Sequence, residues 1–250
     1  MACKALRIYQ LSDGYCYNTD SLILAHFAKP FLKKSMRILD VGAGSGILGI
    51  LCAREIVENL QGSVDLHLVE KDPLMCFLAN KNAFRFQGQV YCEDFLAFRD
   101  VSKFDLIISN PPFYTRGVRQ KDNPRKNMAK NRSFLPLDAM LSHIKRLIQP
   151  NGVLCMCYDA RNSGELFYEC QQKGLRIESV RFVYPLPDRD ATLVLLKARI
   201  QTRSQMQVLP PLFTHQSPKQ MDNTEELKAI YEWAKTASIK VDSQWLHTQN

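Results

Sequence analysis

The run Asn110-Pro111-Pro112-Phe113 follows directly on an apolar stretch, Phe104–Ser109, and has the residue types needed to hold a planar amine. A residue before proline is pushed toward extended geometry, and Asn110 and Pro111 are both restricted in this way. Such a stiff turn presents the Asn110 side-chain oxygen and the Pro111 carbonyl together. Two acceptors then converge on one amine, and Phe113 offers a flat face for stacking. The alternative reading is a proline turn with a buried phenylalanine.

A second constellation lies upstream. Asp40-Val41-Gly42-Ala43-Gly44-Ser45-Gly46 joins an apolar run to a segment of helical period. Glycines there let the backbone turn sharply and approach a ligand, with helix N–H groups facing it. The spacing is G-x-G-x-G, whereas a dinucleotide fingerprint needs G-x-G-x-x-G. Glu70 ends the next apolar run, where a carboxylate can accept from both hydroxyls of a ribose. Asp94 follows a third run and could accept from the exocyclic amine of adenine. Their structural alternatives are a strand-end acid and a helix cap. Three such features after three consecutive strands point to a nucleoside-bearing ligand.

These residues need parallel strands whose carboxyl ends share one edge. From Met36 onward, short β-rich runs alternate with segments of helical period, the pattern of a parallel sheet covered on both faces. The predicted strands are Arg37–Val41, Asp65–Val69, Gln89–Cys92, Phe104–Ser109, Val153–Tyr158, Arg176–Val183 and Thr192–Lys197. The intervening helices are Gly46–Asn59, Pro73–Phe86, Pro136–Ile148 and Ser163–Lys173, with Asn151-Gly152 stopping the third and turning the chain. Tyr184–Thr192 is turn-rich and holds no helix, so the last two strands are expected as an antiparallel hairpin. Thr19–Phe27 reads as a short helix capped by Thr19 or Asp20. Gln207–Phe213, with Pro210-Pro211, reads as irregular chain, and Thr224–Lys235 begins a last helix.

The 250 residues suit one α/β domain. Of the net charge of +8, six lie between Arg116 and Arg132, where Arg116, Arg119, Lys121, Arg125, Lys126, Lys130 and Arg132 stand against Asp122 alone. This basic stretch starts three residues past Phe113, on the substrate side of the turn, and fits a phosphate-bearing partner better than a merely solvated loop. The eight cysteines form no C-x-x-C pair and have no histidines at metal-ligand spacing, so no metal is expected. They fit a reducing compartment. No run of about 18 apolar residues is present, and no membrane association is expected.

With these residues in view, the chain resembles the class I S-adenosylmethionine-dependent methyltransferases that modify planar amines or amides, whose signature is [DNS]-P-P-[YFW]. The resemblance covers Tyr17 to about Lys197. It implies a Rossmann-like α/β fold with a seven-stranded, mostly parallel sheet, an antiparallel C-terminal hairpin and helices on both faces. It also implies S-adenosylmethionine as cofactor, with Asp40, Gly42, Gly44 and Gly46 lining the methionine and sugar. Glu70 would meet the ribose, Asp94 and Phe95 the adenine, and Asn110 to Phe113 the substrate amine, with Asn110 also lining the cofactor. Tyr17 and Asp20 are candidates to cover the cofactor, with a packed ring and a helix cap as alternatives. The expected divisions are an N-terminal segment (1–35) with a helix over the cofactor site, a methyltransferase domain (36–200) and a C-terminal extension packing on it (201–250).

More closely, the chain is similar to the bacterial tRNA(Val) adenine-N6 methyltransferase family. Tyr17-Asn18-Thr19-Asp20-Ser21-Leu22-Ile23-Leu24 resembles the family's D-x-x-L-L helix start. Phe182 to Ala191 resembles its H-P-x-x-D-R-x-A hairpin, with Tyr184 in place of histidine, and Val208-Leu209-Pro210-Pro211-Leu212 resembles its L-P-P-L segment. Where many relatives carry A-R-H-E, this chain has Ala129-Lys130-Asn131-Arg132-Ser133. The resemblance implies N6-methylation of the adenosine after the anticodon, a tRNA partner gripped by the basic stretch, a cytoplasmic location and a monomer or weak dimer. The alternatives are a protein-glutamine N5 methyltransferase, which uses the same turn for an amide, or a DNA adenine or RNA guanine-N2 enzyme.

Overall fold

Phe104–Ser109 and Met36–Val41 are near-continuous apolar runs, as strands buried on both faces require, and they lie side by side at the centre of the sheet. The computed structural model describes residues 5–12, 16–111, 135–219 and 222–242. In chain order the elements are β1 (Leu6–Leu11), α1 (Thr19–Ala28), β2 (Ser35–Val41), α2 (Ile47–Arg54), β3 (Ser63–Glu70), α3 (Pro73–Ala83), β4 (Gln89–Cys92) and β5 (Phe104–Ser109). There follow α4 (Leu137–Leu147), β6 (Ile148–Asp159), α5 (Ser163–Gln172), β7 (Arg176–Tyr184), β8 (Leu193–Arg199), β9 (Gln207–Val208), β10 (Leu212–Phe213), α6 (Glu225–Ala234) and β11 (Thr236–Val241).

The main sheet runs β4-β3-β2-β5-β6-β8-β7, with β9 and β10 pairing on the outer side of β7. Strands β2 to β6 are parallel, and β8 runs antiparallel to both β6 and β7, so all seven expected strands and the expected hairpin are present. The main core is an apolar cluster that includes Ile38, Leu39, Leu66, Leu68, Leu106, Ile107, Leu154 and Leu195.

Four boundaries differ from the sequence reading. Helix α4 ends at Leu147, and Asn151-Gly152 lies in an irregularity of β6, where the pairing with β5 jumps from Phe104↔Ile148 to Leu106↔Val153. Gly152 is needed there because a Cβ would stand 2.8 Å from the Phe104 carbonyl oxygen. The α1 N-cap is Asn18, whose side chain bonds Asp20 at 2.8 Å and caps no backbone N–H. The helix from Ile47 keeps its α form only to Arg54 and widens into a π turn over Glu55–Asn59. Gln207–Phe213 supplies two edge pieces, kept to two residues each by Pro210 and Pro211, which lack the N–H a ladder needs.

The chain ends form a second sheet. β1 and β11 pair in parallel from Leu6↔Thr236 to Leu11↔Val241. Inward-facing Leu11 packs with Met75 and Leu78 of α3, with Leu74 and Val241 alongside. Arg54 fixes α6, its buried guanidinium donating to the carbonyls of Trp233 and Ala234, while the Trp233 indole donates to Glu55 at 2.8 Å.

Candidate active site

The carboxyl ends of β2, β3 and β5 bring the glycine loop, Glu70 and Asn110 together. Val41 and Ser109 are register partners, so Gly42 and Asn110 leave neighbouring strands at the same level. Gly42, Gly44 and Gly46 have φ of +66°, +57° and +86°, the left-handed region that disfavours a side chain. The Gly42 and Ala43 N–H groups donate to the Val69 carbonyl at 2.9 and 3.1 Å, which folds the loop back over β3.

Two acids hold this loop. Asp40 is fully buried, and its Oδ2 accepts from the Gly49 N–H at 2.8 Å, satisfying a donor of the first turn of α2 from beneath. Burial pushes its pKa up to about 7, helped by the nearby Glu70 charge and opposed by the Gly49 bond. Glu70 Oε2 accepts from the Gly44 N–H at 2.7 Å, and its Oε1 accepts from the N–H groups of Lys71 and Asp72 at 2.7 and 2.9 Å. Burial raises the Glu70 pKa despite these bonds. A carboxylate has about four acceptor positions, so three backbone bonds leave room for one ribose hydroxyl.

Asp94 is reached through Lys71, whose ammonium bonds Oδ2 at 2.8 Å while Oδ1 accepts from the Leu96 N–H at 2.9 Å. The Lys71 bond holds the Asp94 carboxyl below its ordinary range. Phe95 is buried and packs edge-on against His143, with ring centroids 4.8 Å apart. Asp20 is set at the start of α1, where burial raises its pKa against the Asn18 bond. Tyr17 is tied to the terminal sheet: its hydroxyl donates to Thr236 Oγ1 at 2.9 Å and its N–H to Gln10 Oε1 at 2.9 Å. Pro112, Phe113 and the basic residues from Arg116 to Arg132 lie outside the described residues.

Asn110 donates through Nδ2 to Ser21 Oγ at 3.3 Å. Its Oδ1 is buried and has no hydrogen-bond partner among the described residues, and the same is true of Asp40 Oδ1 and Ser45 Oγ in or beneath the loop. Buried polar atoms are nearly always satisfied, and these three are the unpartnered ones grouped at the glycine loop and Asn110, which makes them the candidates to meet a ligand's polar groups. Asp40 and Glu70, both pushed upward by burial, lie close enough for the Glu70 charge to raise Asp40 further, so a cation beside this pair would be stabilised. An ammonium and a sulfonium on a nucleoside fit that demand.

Ser21 and Asn82 escaped the sequence reading. Asn82 donates to the carbonyls of Ser45 and Tyr9 at 2.9 and 3.0 Å and accepts from the Tyr9 N–H at 2.8 Å, joining the glycine loop to β1. Ser21 lay within the polar run Asn18 to Ser21 and was legible only as part of a helix start. Among the described residues no group of His, Cys, Asp or Glu could hold a metal ion, and no helix is long and apolar enough to cross a membrane.

The model of the methyltransferase small domain matches residues 13–157, more than half of the chain. A relative from Serratia proteamaculans, named tRNA1(Val) (adenine(37)-N6)-methyltransferase, is 32% identical over 144 residues, 55% of this chain and 53% of the relative. A relative of the same name from Phocaeicola vulgatus is 26% identical over 195 residues, 77% of this chain and 80% of the relative. The chain thus spans about half the length of the first and four fifths of the second. A solved structure from Agrobacterium tumefaciens, described as a predicted O-methyltransferase, superposes with a TM-score of 0.64 at 17% identity, covering 89% of this chain and all of the other, a likeness of fold.

Proposed function

The chain belongs to the methyltransferase small domain family, and on that premise we propose that it transfers a methyl group from S-adenosylmethionine to N6 of an adenosine in tRNA, the adenosine after the anticodon. The observation that carries this reading is the orphaned Asn110 Oδ1, an acceptor held beside the glycine loop with its amide nitrogen turned away toward Ser21. The names of the curated relatives support the substrate.

When bound, S-adenosylmethionine supplies a sulfonium methyl that is already electrophilic. The chain's own task is alignment and electrostatics. The lone pair of adenine N6 is delocalised into the ring. Acceptance of its N–H groups by Asn110 Oδ1 and the Pro111 carbonyl favours a pyramidal nitrogen and stabilises the positive charge that develops on it. The N-methylated ammonium that results is acidic and loses its proton to water, so no dedicated base is required. Phe113 offsets part of the cost of unstacking the base, and the basic stretch from Arg116 to Arg132 grips the flanking phosphates. A tRNA substrate supports a cytoplasmic location, as do the seven free cysteine thiols among the described residues.

The test is incubation with labelled S-adenosylmethionine and total small RNA, followed by digestion to nucleosides. Label in N6-methyladenosine is the expected result. Label confined to protein moves the reading to glutamine N5 methylation, and label in N2-methylguanosine moves the target base.

A further inference from the structure

We propose that Ser21 is a positioning residue for methyl transfer: its hydroxyl is the acceptor that lets Asn110 turn its oxygen toward the substrate amine. An asparagine amide has a donor end and an acceptor end that exchange by a half-turn of the side chain. Only the orientation with Oδ1 toward the amine is productive, because the other sets two donors face to face. That orientation sends Nδ2 inward, where it needs an acceptor. Ser21 Oγ stands 3.3 Å from it, and Ser21 is only 4% exposed, so water is a poor substitute.

The position of Ser21 is itself fixed from far along the chain. The start of α1 is held by Tyr17, through its N–H to Gln10 and its hydroxyl to Thr236, and by Thr19, whose hydroxyl pairs with that of Tyr231 at 2.8 Å. Gln10 in turn donates to Ser238 Oγ at 2.6 Å. Tyr231 belongs to α6, and Thr236 and Ser238 to β11. The C-terminal elements therefore reach the amine-binding turn through α1, with Ser21 as the last link.

This inference rests on the proposed N-methyltransferase reading, and its test keeps the two apart. Ser21→Ala removes the acceptor, and Ser21→Cys keeps nearly the same volume with a poor acceptor. Ser21→Thr keeps the hydroxyl. In single-turnover transfer to tRNA, the Ala and Cys variants should be slowed about tenfold or more, as expected for a buried donor left without its partner. Ser21→Thr should hold most of the rate, and calorimetric affinity for S-adenosylmethionine should stay unchanged in all three. Independently of any substrate, the Asn110 side-chain amide signals, assigned through Asn110→Asp, should exchange faster in Ser21→Ala than in the parent protein. A Ser21→Cys variant at the parent rate, or unchanged amide exchange in Ser21→Ala, overturns the positioning role. Altered amide exchange without RNA methylation by the parent protein supports the positioning contact while overturning the substrate reading.

Discussion

Ser109 Oγ donates to the carbonyl of Val41 at 2.8 Å across β5 and β2, at the last residue of each strand before Asn110 and Gly42. This bond joins the last paired residues of the two central strands. The glycine loop and Asn110 therefore start from one edge of the sheet, the placement that the proposed methyl transfer between two bound groups demands.

If Asn110 stabilises charge on the substrate nitrogen, its effect belongs to turnover. Asn110→Ala should lower the single-turnover rate by about two to three powers of ten, the scale seen for removing one preorganised partner of a developing charge. Calorimetric affinity for S-adenosylmethionine should change less than about threefold. Parallel loss of both would place Asn110 in cofactor binding.

The glycine loop gives a stability prediction with an internal control. At Gly46 the φ is +86° and a Cβ would stand 2.8 Å from Leu68 Cδ2, whereas Gly164 in α5 has nothing within 4 Å of its Cβ position. Gly46→Ala should cost about 1–3 kcal/mol in urea unfolding. Gly164→Ala should be neutral or stabilising by up to about 1 kcal/mol. Equal effects would mean that the loop relaxes around the new methyl group.

Much of this site was legible because its parts are local. Glycines after Asp40, an acid after the second strand and Asn-Pro-Pro-Phe after the fourth each sit within a few residues of the element that places them. What could not be read depends on contacts between distant segments. Gln10 meets Ser238 across nearly the whole chain, and no periodicity in either segment announces a parallel pairing of the two ends. Asn82 and Ser21 are ordinary helix residues until folding gives them partners. Asn151-Gly152 misled for a different reason: the dipeptide signals a backbone irregularity, and a turn after a helix and a bulge within a strand draw on the same glycine freedom.

The C-terminal elements are integral to the fold, and Arg54 at the end of α2 ties α6 to it. Its side chain is 3% exposed and satisfies two carbonyls at the end of α6. Arg54→Ala should cost about 2–4 kcal/mol, because it strands buried acceptors and opens a gap beneath Trp233. Thermal unfolding checks this, and a change below about 0.5 kcal/mol would show that α6 docks without it.

Asp40 sets a pH dependence with a definite sign. Folded, it keeps its proton up to about 7; unfolded, it releases it in the ordinary aspartate range near 3.8. The folded state binds more protons across that window, so the Asp40 contribution to stability declines as pH rises from about 4 to about 7. Asp40→Asn removes this titration. The stability of the parent protein relative to the variant should therefore fall with a slope approaching about 1.4 kcal/mol per pH unit within the window and level off above it. A difference that stays flat between pH 4.5 and about 7.5 would show that Asp40 is ionised throughout.

The charge between Arg116 and Arg132 separates a substrate grip from a solvated loop by its response to salt. Each phosphate neutralised releases condensed counterions, so the logarithm of RNA affinity falls with the logarithm of salt by about 0.7 to 0.9 per contact. Replacing Arg119, Lys121, Arg125 and Lys126 together with alanine should weaken tRNA binding and flatten that slope by up to about three. Four exposed lysines or arginines elsewhere, such as Lys33, Lys34, Arg203 and Lys219, serve as the control, since the same loss of net charge away from the turn should leave the slope nearly unchanged. Equal flattening in both variants would mean that the RNA responds to overall charge. Flattening confined to the first would tie the phosphate contacts to the segment between Arg116 and Arg132.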